Sequence, residues 1–341
     1  MKRKHFITSL LASVAAVKVM GMESKTYEPQ DVGSLKIPPN LKQGDTIGIT
    51  SPAGYITLEE ITPAMQKIKE WGYQVVVGHT IGKRDHTFGG TDEERLADMQ
   101  QMLDDKNIRA IMCARGGYGI VRIIDKLSFK KFSTNPKWIV GFSDITVMHS
   151  HIHANYNIAT LHSKMCNSFP VNWEAAELSQ KATIESINMR MRGQKLKLLV
   201  TPSPHNKPGK GKGQLVGGNL KSLESLAGSK SDIDTKNKIL FVEDTGEYLY
   251  SLDRMFWNLK RSGKLDNLQG LIIGGFKVKT DDVGEEFGKT LEQIVLEKIS
   301  LYNYPVCFDF PVGHQKNNYP LKCGVVHTLD VSMEQALLSE V

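Results

Sequence analysis

The chain has 341 residues, 40% of them apolar and 23% charged, which is enough to bury two ordinary cores and excludes a disordered chain. Its formal net charge is +6, but Lys2, Arg3, Lys4 and Lys18 place four positive charges in the first 22 residues, ahead of any acid. The remainder is close to neutral and has no dense basic patch interleaved with aromatics, which argues against a nucleic-acid partner.

Taken in chain order, the first signal is a charged start, Met1 to His5, followed by an apolar run from Phe6 to Val17 and then small residues near Ala16 and Gly21. This pattern is that of a secretory signal over residues 1–22, and it predicts an exported protein, periplasmic or extracellular, cytoplasmic only if the segment does not act as a signal. The run is short for a membrane span, so no stable span is expected once the signal is removed. Short apolar runs at Thr46 to Thr50, Gln74 to Val77, Arg109 to Ala114, Trp138 to Gly141 and Ile158 to Leu161 alternate with helical patterns, which predicts parallel strands with crossover helices. One helix is well marked: Thr91-Asp92-Glu93-Glu94 forms a capping box, and Leu96, Met99 and Leu103 recur on one face. An α/β domain over residues 37–192 follows. From 193 to 213 the chain turns polar, with Pro202, Pro204, Pro208 and Gly209-Lys210-Gly211-Lys212-Gly213, and reads as a flexible linker. A second domain over 214–341 has strands near Ile239 to Val242 and Leu271 to Ile273, with an amphipathic helix through Leu249, Leu252, Met255, Phe256 and Leu259 that Gly263 caps.

Three strand ends carry chemistry. Trp138-Ile139-Val140 runs into Gly141-Phe142-Ser143-Asp144, a serine on a strand-to-helix turn, which either mounts a nucleophile or supplies an ordinary helix N-cap. Leu240-Phe241-Val242 ends in Glu243, and Phe310-Pro311-Val312-Gly313 ends in His314. Serine, carboxylate and imidazole, each just past a buried strand, are the parts of a hydrolytic triad, and they would come from both domains. The order Ser, Glu, His is that of α/β-hydrolases, but Ile145 stands where their elbow has its second glycine.

Other patterns weigh less. Gly117-Tyr118-Gly119 fails the dinucleotide pattern at Arg122, and the Gly-Lys repeat lacks the spacing of a phosphate loop. His149, His151 and His153 fall on a helix, where a spacing of two does not converge on a metal, and they read as surface or satisfied core histidines. No metal and no other cofactor is expected. Cys113, Cys166, Cys307 and Cys323 have neither zinc-like spacing nor scaffold density; Cys113 reads as a buried thiol, and a Cys307 to Cys323 bridge would be permitted by export.

Together Arg115-Gly116-Gly117-Tyr118-Gly119, Gly141-Phe142-Ser143-Asp144-Ile145-Thr146, Glu243-Asp244-Thr245-Gly246-Glu247 with Asp253-Arg254-Met255, and Pro311-Val312-Gly313-His314 resemble the LD-carboxypeptidases. That serine peptidase family also includes the microcin C immunity proteins, and the likeness runs from about Ile37 to the C-terminus. It implies a flavodoxin-like N-terminal parallel-sheet domain, a smaller mixed α/β swivelling C-terminal domain and an active site at their interface. Ser143 would be the nucleophile, His314 the base and Glu243 its orienting acid, with an oxyanion hole from the amides of Asp144 and Gly117. Arg115 would either pair with a substrate carboxylate or brace the turn. The implied reaction removes terminal D-alanine from a peptidoglycan tetrapeptide through an acyl-enzyme. Its alternatives are an immunity-type hydrolysis of peptidyl or acyl adenylates and a binding protein that holds wall peptides without cutting them. Members are commonly homodimers. One departure is His162-Ser163-Lys164-Met165, where the family commonly has His-Gly-Pro-Met, a change that touches substrate preference more than chemistry.

Overall fold

The computed structural model describes residues 33–341; the signal segment expected over 1–22 lies outside the described residues. The strands are Thr46–Thr50 (β1), Gln74–Val77 (β2), Ile108–Cys113 (β3), Trp138–Gly141 (β4), Thr160–His162 (β5), Lys197–Val200 (β6), Gly209–Asn219 (β7), Ile239–Thr245 (β8), Gly270–Lys277 (β9), Val306–Cys307 (β10), Leu321–Cys323 (β11), Val326–Val331 (β12) and Ala336–Glu340 (β13). They form two sheets, β11-β5-β4-β3-β1-β2 and β10-β9-β8-β7-β12-β13-β6.

In the first sheet β1 to β5 are parallel, in the order 2-1-3-4-5 of flavodoxin-like folds. Helices cover both faces, which is why the central strands are apolar throughout instead of alternating. Met112, Trp138 and Val140 enter one core, and Ile111, Cys113 and Ile139 the other. The helix Asp92–Asp104 starts at the expected capping box, in which the Thr91 hydroxyl accepts from the Glu94 amide and the Glu94 carboxylate accepts from the Thr91 amide. The second sheet is mixed, with β10, β9, β8 and β7 parallel and β7, β12, β13 and β6 antiparallel. The helix Leu249–Arg261 lies on it and is followed by Gly263 at φ 74°.

Two features differ from the sequence expectation. Residues 193–213 are not a free linker: they hold β6 and the first part of β7. The glycines there serve close approach, since a Cβ on Gly211 would lie 1.6 Å from the Gln269 carbonyl oxygen and one on Gly213 would lie 2.6 Å from that of Asn237. The first sheet is also not made from the N-terminal half alone. β11 returns from the C-terminal segment and pairs antiparallel with β5, Leu321 opposite His162, so the halves share a sheet.

His149, His151 and His153 are all buried in the helix Thr146–Tyr156, so none is a surface residue. They are core histidines: His149 Nε2 pairs with the Gly141 carbonyl at 2.9 Å and His151 Nδ1 with the Ser231 hydroxyl at 2.8 Å, while the Nδ1 atoms of His149 and His153 have no hydrogen-bond partner among the described residues. The four cysteines are buried and free, Cys307 and Cys323 included. Burial holds the imidazoles of His149, His151, His153 and His327 down at about 4 and pushes His162 well below its ordinary value. A depressed histidine contributes stability that is present above pH 6.5 and lost as the pH falls through its folded pKa. Asp144 and Asp244, raised to about 6 by burial, act in the opposite sense, losing their contribution as the pH rises through that value. Five histidines outweigh two aspartates, so unfolding near pH 5 takes up protons and stability falls on acidification through that range. Thermal unfolding between pH 7 and pH 4.5 checks this; a melting temperature constant across that range would contradict the buried neutral imidazoles.

Candidate active site

β4 delivers the nucleophile candidate. At its end the chain turns through Phe142, extended, into Ser143 at φ 62°, a left-handed conformation that costs a non-glycine residue about 1 kcal/mol. Such a strained elbow lifts the hydroxyl off the sheet edge, and the helix Thr146–Tyr156 follows directly. The Arg115-Gly116-Gly117 turn presses against it, and glycine is needed there because a Cβ on Gly116 would lie 3.0 Å from Ser143 Cβ and 3.2 Å from its Oγ.

The turn is fixed from two sides. Gly54 donates its amide to the Gly116 carbonyl at 2.9 Å, and Arg115 Nη1 donates to the Tyr55 carbonyl at 3.1 Å, so the guanidinium makes the bracing contact of the two roles open to it. Gly117 takes φ 110° and is exposed beside the elbow. Asp144 is buried, and its Oδ2 accepts from the Ile120 amide at 2.9 Å, tying the elbow to the end of the glycine turn. Its carboxylate is structural, whereas the part expected in catalysis is its backbone amide.

The acid and the imidazole come from the second sheet. Glu243 lies inside β8, two residues before its end, and His314 follows an irregular segment because β10 stops at Cys307, so neither stands just past a strand as the sequence suggested. Glu243 is fully buried, and its Oε2 accepts from His314 Nδ1 at 2.5 Å and from the His314 amide at 3.2 Å. With Nδ1 donating, Nε2 is left as the acceptor, which is the tautomer a general base needs. Gly313 makes this approach possible: at φ 95°, a Cβ there would lie 2.3 Å from Glu243 Cβ. Its amide donates to Asn318 Oδ1 at 3.0 Å, which holds the turn that presents the imidazole. The His314 ring packs 4.9 Å, centroid to centroid, from that of Phe142, the residue before Ser143. Thus Ser143, Asp144, Gly117, Arg115, Glu243 and His314 all gather near the carboxyl ends of the parallel strands of the two sheets. A cleft of about 710 Å³ opens beside His314, lined among others by Gly275, Lys277, Lys289 and Lys316.

Residues 47–163 match the LD-carboxypeptidase N-terminal domain and residues 212–329 the LD-carboxypeptidase C-terminal domain. A probable murein peptide carboxypeptidase of Bacillus subtilis is 32% identical over 301 residues, 88% of this chain and 93% of that protein. The chain belongs to the LD-carboxypeptidase family. It is a hydrolase of the serine carboxypeptidase class. The muramoyltetrapeptide carboxypeptidase of Oxalobacter formigenes superposes with a TM-score of 0.77 at 26% identity, covering 86% of this chain and 98% of that one. A microcin self-immunity protein of Escherichia coli is 24% identical over 328 residues, 88% of this chain and 94% of that protein.

One residue around this site, Asn219, escaped the sequence reading. Asn219, at the end of β7, donates its amide to Thr146 Oγ1 at 2.9 Å and its side chain to Asp244 at 2.9 Å, joining the elbow helix to β8. Its signal was available, because Leu215-Val216-Gly217-Gly218-Asn219 is another apolar run ending in a polar group. His162, already noted after β5, is fully buried with both ring nitrogens unpartnered, wedged between Phe142 at 5.9 Å and Phe241 at 5.0 Å. Its environment keeps it neutral and makes it part of the packing between the sheets. Among the described residues no three His, Cys, Asp or Glu side chains group as metal ligands, and no helix is long and apolar enough to cross a membrane.

Proposed function

We propose that this protein removes the terminal D-alanine of murein tetrapeptides, cutting the bond from the L-centre of a diamino acid, with Ser143 as nucleophile. The observation that carries the reading is the left-handed Ser143 just past β4, whose neighbour Phe142 packs on an imidazole already oriented by a buried carboxylate. His314 Nε2 takes the Ser143 hydroxyl proton as Oγ attacks the carbonyl carbon. The resulting oxyanion rests on the amides of Asp144 and Gly117. Collapse breaks the C–N bond, His314 returns the proton to the leaving amine, and D-alanine departs from the acyl-enzyme. Water then adds with His314 again as base, releasing the shortened peptide and the serine. Arg115 stands beside the turn and braces it. The names of the Bacillus subtilis and Oxalobacter formigenes relatives support a murein peptide as substrate. With the basic and apolar start of the chain, the reading places the reaction outside the inner membrane. A homodimer, common in the family, is part of the same proposal.

Mass spectrometry of the purified protein with a murein tetrapeptide ending in D-alanine tests it. The expected result is loss of one alanine residue, unchanged by EDTA because no step uses a metal. An untouched tetrapeptide together with cleavage of an aminoacyl adenylate analogue would replace this reading with the immunity-type reaction. Neither reaction, with no labelling by a fluorophosphonate, would leave a binding protein.

A further inference from the structure

The segment that follows β5 is fixed on the nucleophile's side of the site. Ser163 donates its amide to the Gly141 carbonyl at 2.9 Å, two residues before Ser143, and Met165 Cε would lie 3.3 Å from a Cβ on Gly116. Between them stands Lys164, 7% exposed, a long cationic side chain in a place where burial of an ammonium is costly without a partner. Its Nζ donates at 2.6 Å to the carbonyl oxygen of Lys316, 152 residues away in sequence and two residues past His314.

Beyond the His314 ring packing on Phe142 and the β11–β5 pairing further along, the hydrogen bonds within the turn stay in its own half: Gly313 amide to Asn318, Gln315 amide to the Gly313 carbonyl at 2.8 Å, and Tyr319 amide to the Pro311 carbonyl at 2.9 Å. These bonds shape the turn but do not set its distance from Ser143. The Lys316 side chain does reach across to Glu177, but both partners are more than half exposed, and solvent screens such a pair to little value. The Lys164 bond is charge-assisted and shielded, so it is the stronger tie.

We infer that Lys164 is a positioning residue: its ammonium, by holding the Lys316 carbonyl, sets the base-bearing turn of one half in register with the nucleophile elbow of the other. The inference rests on His314 acting as base to Ser143. Without the ammonium the carbonyl loses a partner and the turn is less tightly held, and a displacement of about 1 Å at a base can cost about 100-fold in rate.

Lys164→Met in the full chain tests this, keeping length and apolar stem while removing the donor. The expected result is a kcat on the tetrapeptide lower by about 10- to 100-fold with KM within about twofold. Fluorophosphonate labelling of Ser143, which needs the base but no peptide, should slow by a similar factor, and Lys164→Arg should restore part of both. If Lys164→Met does not reach the wild-type circular dichroism spectrum, Lys164→Leu, shorter and without a donor, carries the same comparison. Wild-type labelling and turnover in the variant would overturn the inference, as would a loss confined to KM, which would mean that the ammonium meets the substrate. A wild-type protein that labels but releases no D-alanine defeats the substrate reading alone, since the labelling comparison still reports on the turn. A wild-type protein that does not label removes the base and nucleophile on which the inference stands.

Discussion

Replacing Ser143 with alanine is expected to lower kcat on a murein tetrapeptide by about 10⁵- to 10⁶-fold while leaving the fold intact. The size follows from losing the acyl-enzyme route altogether, since imidazole and oxyanion amides without a nucleophile retain only a small remainder of catalysis. Stability should scarcely change, because alanine in the same left-handed conformation carries a similar strain to serine. Ser143→Gly makes the contrast. It should be equally inactive yet more stable by about 1 kcal/mol, because glycine adopts φ 62° without a Cβ penalty. Steady-state kinetics and thermal melts of the three proteins decide the matter. An alanine variant within tenfold of wild type would remove Ser143 from the mechanism, and a glycine variant no more stable than wild type would remove the argument from strain.

The second large effect is expected at Glu243. Changing it to glutamine keeps the volume of a fully buried side chain but removes the charge that receives both the Nδ1–H and the amide of His314. An amide in that place can present its NH₂ to the ring, which selects the tautomer with the proton on Nε2 and spoils the base; it also cannot offset the imidazolium formed during attack. A drop in kcat of about 10⁴-fold is expected, with KM altered far less. Fluorophosphonate labelling of Ser143 should slow in parallel, because proton removal from the hydroxyl is common to both reactions. Labelling at the wild-type rate in the glutamine variant would show that Glu243 packs the turn without orienting the base.

Much of this site could be read before any coordinates, for a simple reason. In parallel sheets functional groups collect near the carboxyl ends of strands, and buried strands are written as continuous apolar runs. Val140 and Val242 therefore point to Ser143 just past β4 and to Glu243 near the end of β8, whereas His314 follows an irregular segment, β10 having ended at Cys307. The boundaries of β1, β2 and β4 were legible on the same grounds. Less legible were residues whose importance comes from a distant neighbour. Ser163-Lys164 was visible as an unusual pair, but nothing in it names Lys316, because a hydrogen bond between positions 152 apart leaves no local periodicity.

The glycines make the division clearest. Local sequence determined where strands and helices start, which faces are apolar and which polar groups end each run, since these follow from period, capping and burial along the chain itself. Whether Gly209-Lys210-Gly211-Lys212-Gly213 is a flexible joint or a strand was decided only in three dimensions, where the carbonyls of Gln269 and Asn237 leave no room for a side chain. Likewise, that Gly313 lets Glu243 reach His314, and that β11 carries the C-terminal half into the first sheet, depend on contacts between positions far apart in the chain. A glycine is the same residue whether it is chosen for freedom or for close approach, and only its packed neighbours distinguish the two.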